Sequence, residues 1–257
     1  MCLVLVAFEP SPVVRFVLAA NRDEFYGRPT APAAFWGDVP DLLAGRDLRA
    51  GGTWLGVTRS GRVAALTNYR EPSAHRAGAP SRGELVVGFL KGRESGEDFL
   101  ARIAPGADRY NGFSLLLYDG DSFWSFANTN GEAARLSAGL YGLSNHLLET
   151  PWPKVLKTKA RFLRLLEEPH VPPAWALLMI LSDRTGAADE QLPKTGVPLE
   201  WERILSAPFI VSPTYGTRSS TALVIGRDAT VHFTERSFGP AGEPTGTVDE
   251  TFPIGPA

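Results

Sequence analysis

The chain holds a single cysteine, and it is residue 2 of 257. Loss of the initiator Met1 would leave Cys2 with a free α-amine beside its thiol. An α-amine titrates near ~7.7–8.0 and is a usable base close to neutral pH. A nucleophile that carries its own amine is a known catalytic arrangement. The alternative for Cys2 is a small buried hydrophobe that opens a strand, a common fate of free cysteine. The second dense group of chemistry-bearing residues is Asn21-Arg22-Asp23-Glu24, placed at the end of an apolar run. Arg22 would favour a thiolate, and Asp23 would hold an α-ammonium. The alternative is a strand-end charge cluster fixed by local ion pairs.

The elements that must bring these groups together are short. Cys2 to Phe8 is an apolar run of strand length, and 14–20 is a second one after a Pro-containing turn. Paired as a hairpin, they return residues 21–24 to the level of Cys2. A further strand pair is expected at 53–58 and 62–67, joined by Ser60-Gly61. Ser81 and Glu84 have capping-box spacing ahead of a helix with Leu85, Val86, Phe89 and Leu90 on one face. Ser95 or Gly96 starts the next helix. Strands follow at 113–118 and 122–126, linked by Asp119-Gly120-Asp121, and at 140–144. Helices are expected at 153–166, with Pro153 in the first turn and Lys and Arg along the outer face, at 173–181 and at 199–205. A polar loop fills 186–198, as a lid or a plain surface loop. Strands at 220–225 and 230–234 close the order, with a surface tail from Gly239. Segregated strand and helix blocks in a chain of this length, without repeat or linker, argue a single α+β domain over 1–257.

Composition excludes several classes. There are 26 Lys and Arg against 28 Asp and Glu, a net charge of −2, so a general nucleic-acid binder is not expected. One cysteine excludes a disulfide framework within the chain and a multi-thiolate zinc site. The four histidines, His75, His146, His170 and His232, are far apart in sequence, and no metal site is expected. No stretch is long and apolar enough to span a bilayer, and the N-terminus lacks the basic start of a signal peptide. The expectation is a cytoplasmic protein without a membrane span, acting on a small molecule. The oligomeric state is left open. Gly51-Gly52-Thr53-Trp54 reads as a tight turn into a strand, with glycines that permit positive φ or close backbone approach. Trp54 either lines a pocket or belongs to the core.

The stretches Met1-Cys2-Leu3, Ala20 to Phe25, Gly45-Arg46-Asp47, Gly51 to Gly56, Leu66 to Arg70, Tyr110 to Phe113, Gly142 to Asn145 and Thr195 to Pro198 together cover nearly the whole chain. On them the sequence resembles the NRDE-motif proteins, the transport-and-Golgi-organisation 2 family. The resemblance implies an N-terminal nucleophile (Ntn) hydrolase-like fold, a four-layer α-β-β-α sandwich. It also implies a comparison with the cysteine acylases of that fold. On that pattern Cys2 is the nucleophile, Asp23 the acid, Asn68 and Asn145 the two Asn, and Arg218 the late Arg. The acylase Arg position is Ala20 here. Residues i and i+2 of a strand share a face, so Arg22 either replaces the missing guanidinium or points its charge at a different ligand group. Asn21, Trp54 and Tyr69 are read as ligand-binding. The implied activity is a cysteine amidohydrolase or acyl-transfer enzyme that needs no cofactor. The resembled family is also linked to haem trafficking and lipid metabolism. That leaves open a carrier on the same fold, with haem or an acyl lipid as ligand.

Overall fold

The computed structural model describes residues 2–168 and 170–255; Met1, whose removal the nucleophile reading requires, lies outside them. The fold is α+β. Among the described residues there are five α-helices and two sheets. The residues group into two compact units. Among the described residues one comprises 2–27, 138–144, 148–168 and 170–252, and the other 28–137, 145–147 and 253–255.

The first unit is built on a six-stranded sheet. Its strands are β1 (Cys2–Phe8), β2 (Val14–Phe25), β10 (Gly139–Leu143), β11 (Tyr215–Gly226), β12 (Thr230–Phe238) and β13 (Pro244–Pro253), in the order β10-β1-β2-β11-β12-β13. Every residue of β1 is buried, which its unbroken apolar run anticipates. The helices α3 (Pro153–Leu166), α4 (Ala174–Leu181) and α5 (Leu199–Leu205) belong to this unit. Trp152, Val155, Phe162, Leu177 and Leu181 pack against Leu3, Leu5, Ala7, Val17, Ala19, Ala222 and Val224. The odd-numbered residues of β1, and those of β2 from Val17 on, therefore face the helices, and the even-numbered ones there face the other way.

The second unit holds a seven-stranded sheet of β3 (Thr30–Trp36), β4 (Val39–Asp47), β5 (Leu55–Thr58), β6 (Val63–Asn68), β7 (Phe113–Tyr118), β8 (Phe123–Ala127) and β9 (Glu132–Leu136), hydrogen-bonded in chain order. The helices α1 (Gly83–Lys91) and α2 (Gly96–Ile103) lie on it. Leu85, Val86, Phe89, Leu90, Phe99 and Leu100 meet Leu42, Ala64, Leu66, Phe113, Leu115 and Leu117. Gly51 has φ 76°, and a Cβ on Gly52 would stand 2.7 Å from the Gly83 carbonyl carbon. Both reasons for that glycine pair therefore operate.

Four expectations change. The strand of residues 14–20 runs on to Phe25, so the charged cluster lies within it rather than past its end. Strands β3, β4, β9 and β13 carry no clean apolar alternation, and the tail from Gly239 includes the edge strand β13. The capping box at Ser81 does not form: α1 has no side-chain cap, and Glu84 instead accepts from the Tyr110 hydroxyl. Ser95 does cap α2, through the Asp98 N–H at 3.0 Å. Lys154, expected on the outer face of its helix, is 2 % exposed.

Candidate active site

The first unit carries the charged residues. β1 and β2 pair so that Cys2 stands opposite Arg22, and Val4 opposite Ala20. β2 and β11 pair so that Ser219 stands opposite Arg22, and Thr217 opposite Asp23. Directly opposed residues share a sheet face, so Cys2, Arg22 and Ser219 form a row across three strands. Arg22 thus stands on the face of Ala20, one pair nearer the N-terminus of β1. Arg218 falls at the register shift between Thr217 and Ser219, the extra residue of a β-bulge. Bulges re-aim side chains, and this one lets Arg218 Nη1 donate to the carbonyls of Phe25 at 3.0 Å and Tyr26 at 3.2 Å.

Burial sets the electrostatics. Cys2 is 9 % exposed, and desolvation pushes its thiol pKa up. The Asp23 charge adds to that rise, whereas Arg22 and the Asp23 backbone N–H on the sulfur oppose it. The Ser144 hydroxyl donates to the Cys2 carbonyl at 2.9 Å and fixes the start of the strand. Asp23 is buried on the helix-facing side, and desolvation raises its carboxyl pKa too. Lys154, the Thr217 hydroxyl and Arg22 work against that rise. The Thr217 hydroxyl donates to Asp23 Oδ1 at 2.7 Å while accepting from the Ile210 N–H at 2.9 Å. Arg22 also lies 3.7 Å from the Glu24 carboxylate. Arg218 is depressed first by burial and then by the like charge of Arg22. Asn21, expected to bind ligand, braces the fold. Its Nδ2 donates to the carbonyls of Leu181 and Pro208 at 3.0 and 2.8 Å, and its Oδ1 accepts from Ser220.

The second unit carries neutral donors held by main chain. Asn68 ends β6, opposite Phe113. Asn145 is fully buried, and its Nδ2 donates to the Asn68 carbonyl at 3.0 Å. The Arg70 N–H donates to the Asn145 carbonyl at 2.8 Å. The Tyr69 hydroxyl and His146 Nε2 are 2.6 Å apart, with the rings tilted at a centroid distance of 4.6 Å. Desolvation raises the Tyr69 pKa and lowers that of His146. Trp54 is half-buried, and its ring fills the space over Gly45, where a Cβ would stand 2.6 Å from Cζ2.

Of the residues expected at a site, Cys2, Arg22, Asp23 and Arg218 are gathered in the first unit. Asn68, Asn145 and Tyr69 are gathered in the second. Sequence reasoning missed Lys154, Thr217 and His146. Lys154 sits among apolar helix positions, and a lysine flanked by Trp152 and Val155 was the available sign. His146 follows Asn145 directly, but its pairing with Tyr69 spans 77 residues and leaves no local trace. No group of three or more His, Cys, Asp or Glu among the described residues is arranged to hold a metal ion. No helix among them is long and apolar enough to cross a membrane.

Comparison with known proteins gives a consistent answer on ancestry. The sequence profile of the family "Transport and Golgi organisation 2" matches residues 1–240. The chain is 40 % identical to the bovine Transport and Golgi organization protein 2 homolog, covering 92 % of this chain and 93 % of the bovine one. It is 37 % identical to the human homolog with the same coverage. Among solved structures, the C2A mutant of the conjugated bile acid hydrolase from Clostridium perfringens aligns over 100 % of this chain and 97 % of its own. The TM-score is 0.49 at 7 % identity. The match over nearly the whole length, at 40 % identity to a relative covered almost end to end, shows that the chain belongs to the Transport and Golgi organisation 2 family.

Proposed function

We propose that the chain is an Ntn-type cysteine amidohydrolase or acyl-transfer enzyme acting on a small acylated molecule, with Cys2 as the nucleophile once Met1 has been removed. The observation that carries this reading is the register that sets Cys2 opposite Arg22. Burial works against a thiolate, so activation falls to the α-amine and to the Arg22 charge. The amine takes the thiol proton, and the thiolate adds to an acyl carbonyl. The C–N bond breaks as the α-ammonium returns that proton to the leaving nitrogen. Water then adds to the thioester, releasing the carboxylic acid and restoring the thiol. A preorganised donor to the oxyanion contributes about 2.7–4 kcal/mol. The test is hydrolysis of a panel of N-acyl amides by Met1-free protein and by Cys2→Ala. Activity that persists in folded Cys2→Ala rejects the nucleophile.

One observation favours a second reading. A thiol whose pKa is raised by burial, and an Asn145 amide already donating to Asn68, suit binding without turnover. On that reading the chain is a carrier for haem or an acyl lipid. Haem titration should then give a saturable Soret shift, and a spectrum of free haem alone rejects the haem version.

A further inference from the structure

Lys154 is the second residue of α3, next to Pro153, and is 2 % exposed. Its neighbours Trp152 and Val155 pack in the cluster that holds Leu3 and Leu5, on the helix-facing side of the first unit's sheet. A buried ammonium requires a buried counter-charge, because the desolvation cost of an unmatched ion is several kcal/mol. The buried carboxylates of this unit are Asp23, Glu202 and Glu235. Glu202 accepts from the N–H and hydroxyl of Thr195, at 3.1 and 2.6 Å. Glu235 neighbours Thr234 on β12, and Thr234 stands opposite Ala222 in the helix-facing row, so Glu235 points to the opposite face. Asp23 is on the helix side, opposite Thr217, and its strongest opposing charge is Lys154.

We propose that Lys154 is the positioning residue of Asp23: its buried ammonium is the counter-charge of the buried carboxylate on the same side of the sheet, while Thr217 fixes one oxygen. The consequence for chemistry rests on the Cys2 reading above. A carboxylate already matched by one cation holds a second one less tightly. The α-amine of Met1-free protein then sheds its proton more readily and is available as base. Besides Lys154, the N-terminal amine and Arg22 also oppose the rise of Asp23, and Cys2 on β1 and Tyr26 just past β2 are coupled to it. Cys2 and Arg22 stand on the face of the sheet away from the helices.

The experiment is a carboxyl titration by ¹³C NMR on full-length protein, with the Asp23 signal assigned by its loss in Asp23→Asn. In Lys154→Met the Asp23 midpoint should move up, and in Lys154→Arg it should stay near that of the parent. In parallel, urea unfolding is measured for Lys154→Met, Asp23→Asn and the double variant. Each single change should lower the midpoint, and the double should lie well above the sum of the two losses. An Asp23 midpoint unmoved in Lys154→Met, or single losses that simply add, overturns the pairing. If Lys154→Met does not fold, recovery of folding in the double variant supports the pairing and continued failure rejects it. The third readout is the pH profile of Cys2 alkylation in Met1-free protein. Its midpoint should rise in Lys154→Met, with the rate near neutrality falling about tenfold for each unit of rise. An Asp23 midpoint that moves while the alkylation profile does not retains the Lys154–Asp23 pair and rejects its link to the Cys2 amine.

Discussion

The two residue clusters, one in each unit, handle polarity in opposite ways. In the first, ionisable groups are buried: Cys2, Arg22, Asp23 and Lys154 are each less than a tenth exposed. Desolvation drives the resulting shifts, upward for both the thiol and the Asp23 carboxyl. In the second, the corresponding cluster is neutral at its core. Asn145, Asn68, Tyr69 and His146 are tied by amide, hydroxyl and main-chain hydrogen bonds. Charge buried in one unit is costly when unmatched, whereas hydrogen bonds broken in the other cost only their own desolvation. The contrast teaches where reactivity is stored. The first unit holds a buried thiol and buried charges, and the second holds groups that stay neutral under the same desolvation, the Tyr69 hydroxyl and the His146 ring.

Asp23→Leu is the sharpest way to break this comparison. It leaves Lys154 without its matching carboxylate, and urea unfolding should show a loss of about 3–5 kcal/mol. Asn145→Ala removes the amide that donates to the Asn68 carbonyl and should cost about 1–3 kcal/mol. If Asn145→Ala proves as damaging as Asp23→Leu, the contrast fails.

The pH dependence should carry opposite signs in the two units. Burial holds Asp23 above its ordinary 3.8, so its contribution is full below that value and is lost as pH rises through the folded midpoint. Burial holds His146 below 6.5, so its contribution is full above 6.5 and is lost as pH falls through the folded midpoint. Stability measured from pH 8 downward should therefore decline below about 6.5 in the parent and less steeply in His146→Gln. The smallest effect is expected for Tyr69→Phe, about 0.5–1.5 kcal/mol, from loss of the single bond to His146.

Much of the fold was legible wherever the hydrophobic period was clean. β1, β7, α3 and α5 lie where their apolar patterns put them, and the hairpin logic brought Arg22 to Cys2. β3 and β4 were not legible, because Pro32 and Pro40 interrupt their runs and their exposed residues break alternation. β13 was hidden for a related reason: an edge strand needs only one neighbour, and its Thr, Gly, Asp and Glu residues read as a loop. Within the site, the groups on one hairpin were readable because their register is local. Lys154 and Thr217 were not, since their meeting with Asp23 depends on α3 and β11 returning to the sheet from more than a hundred residues away.

The most direct test of the central claim is intact mass after a brief, limiting exposure to iodoacetamide near neutral pH, on native Met1-free protein and on the same protein unfolded. With a single thiol in the chain, any first adduct on sulfur is at Cys2. Native Met1-free protein should be alkylated faster than the unfolded chain, because only in the fold does Arg22 stand opposite the Cys2 thiolate that the α-amine forms. A native thiol that reacts more slowly than in the unfolded chain would contradict it and leave Cys2 as a buried strand residue.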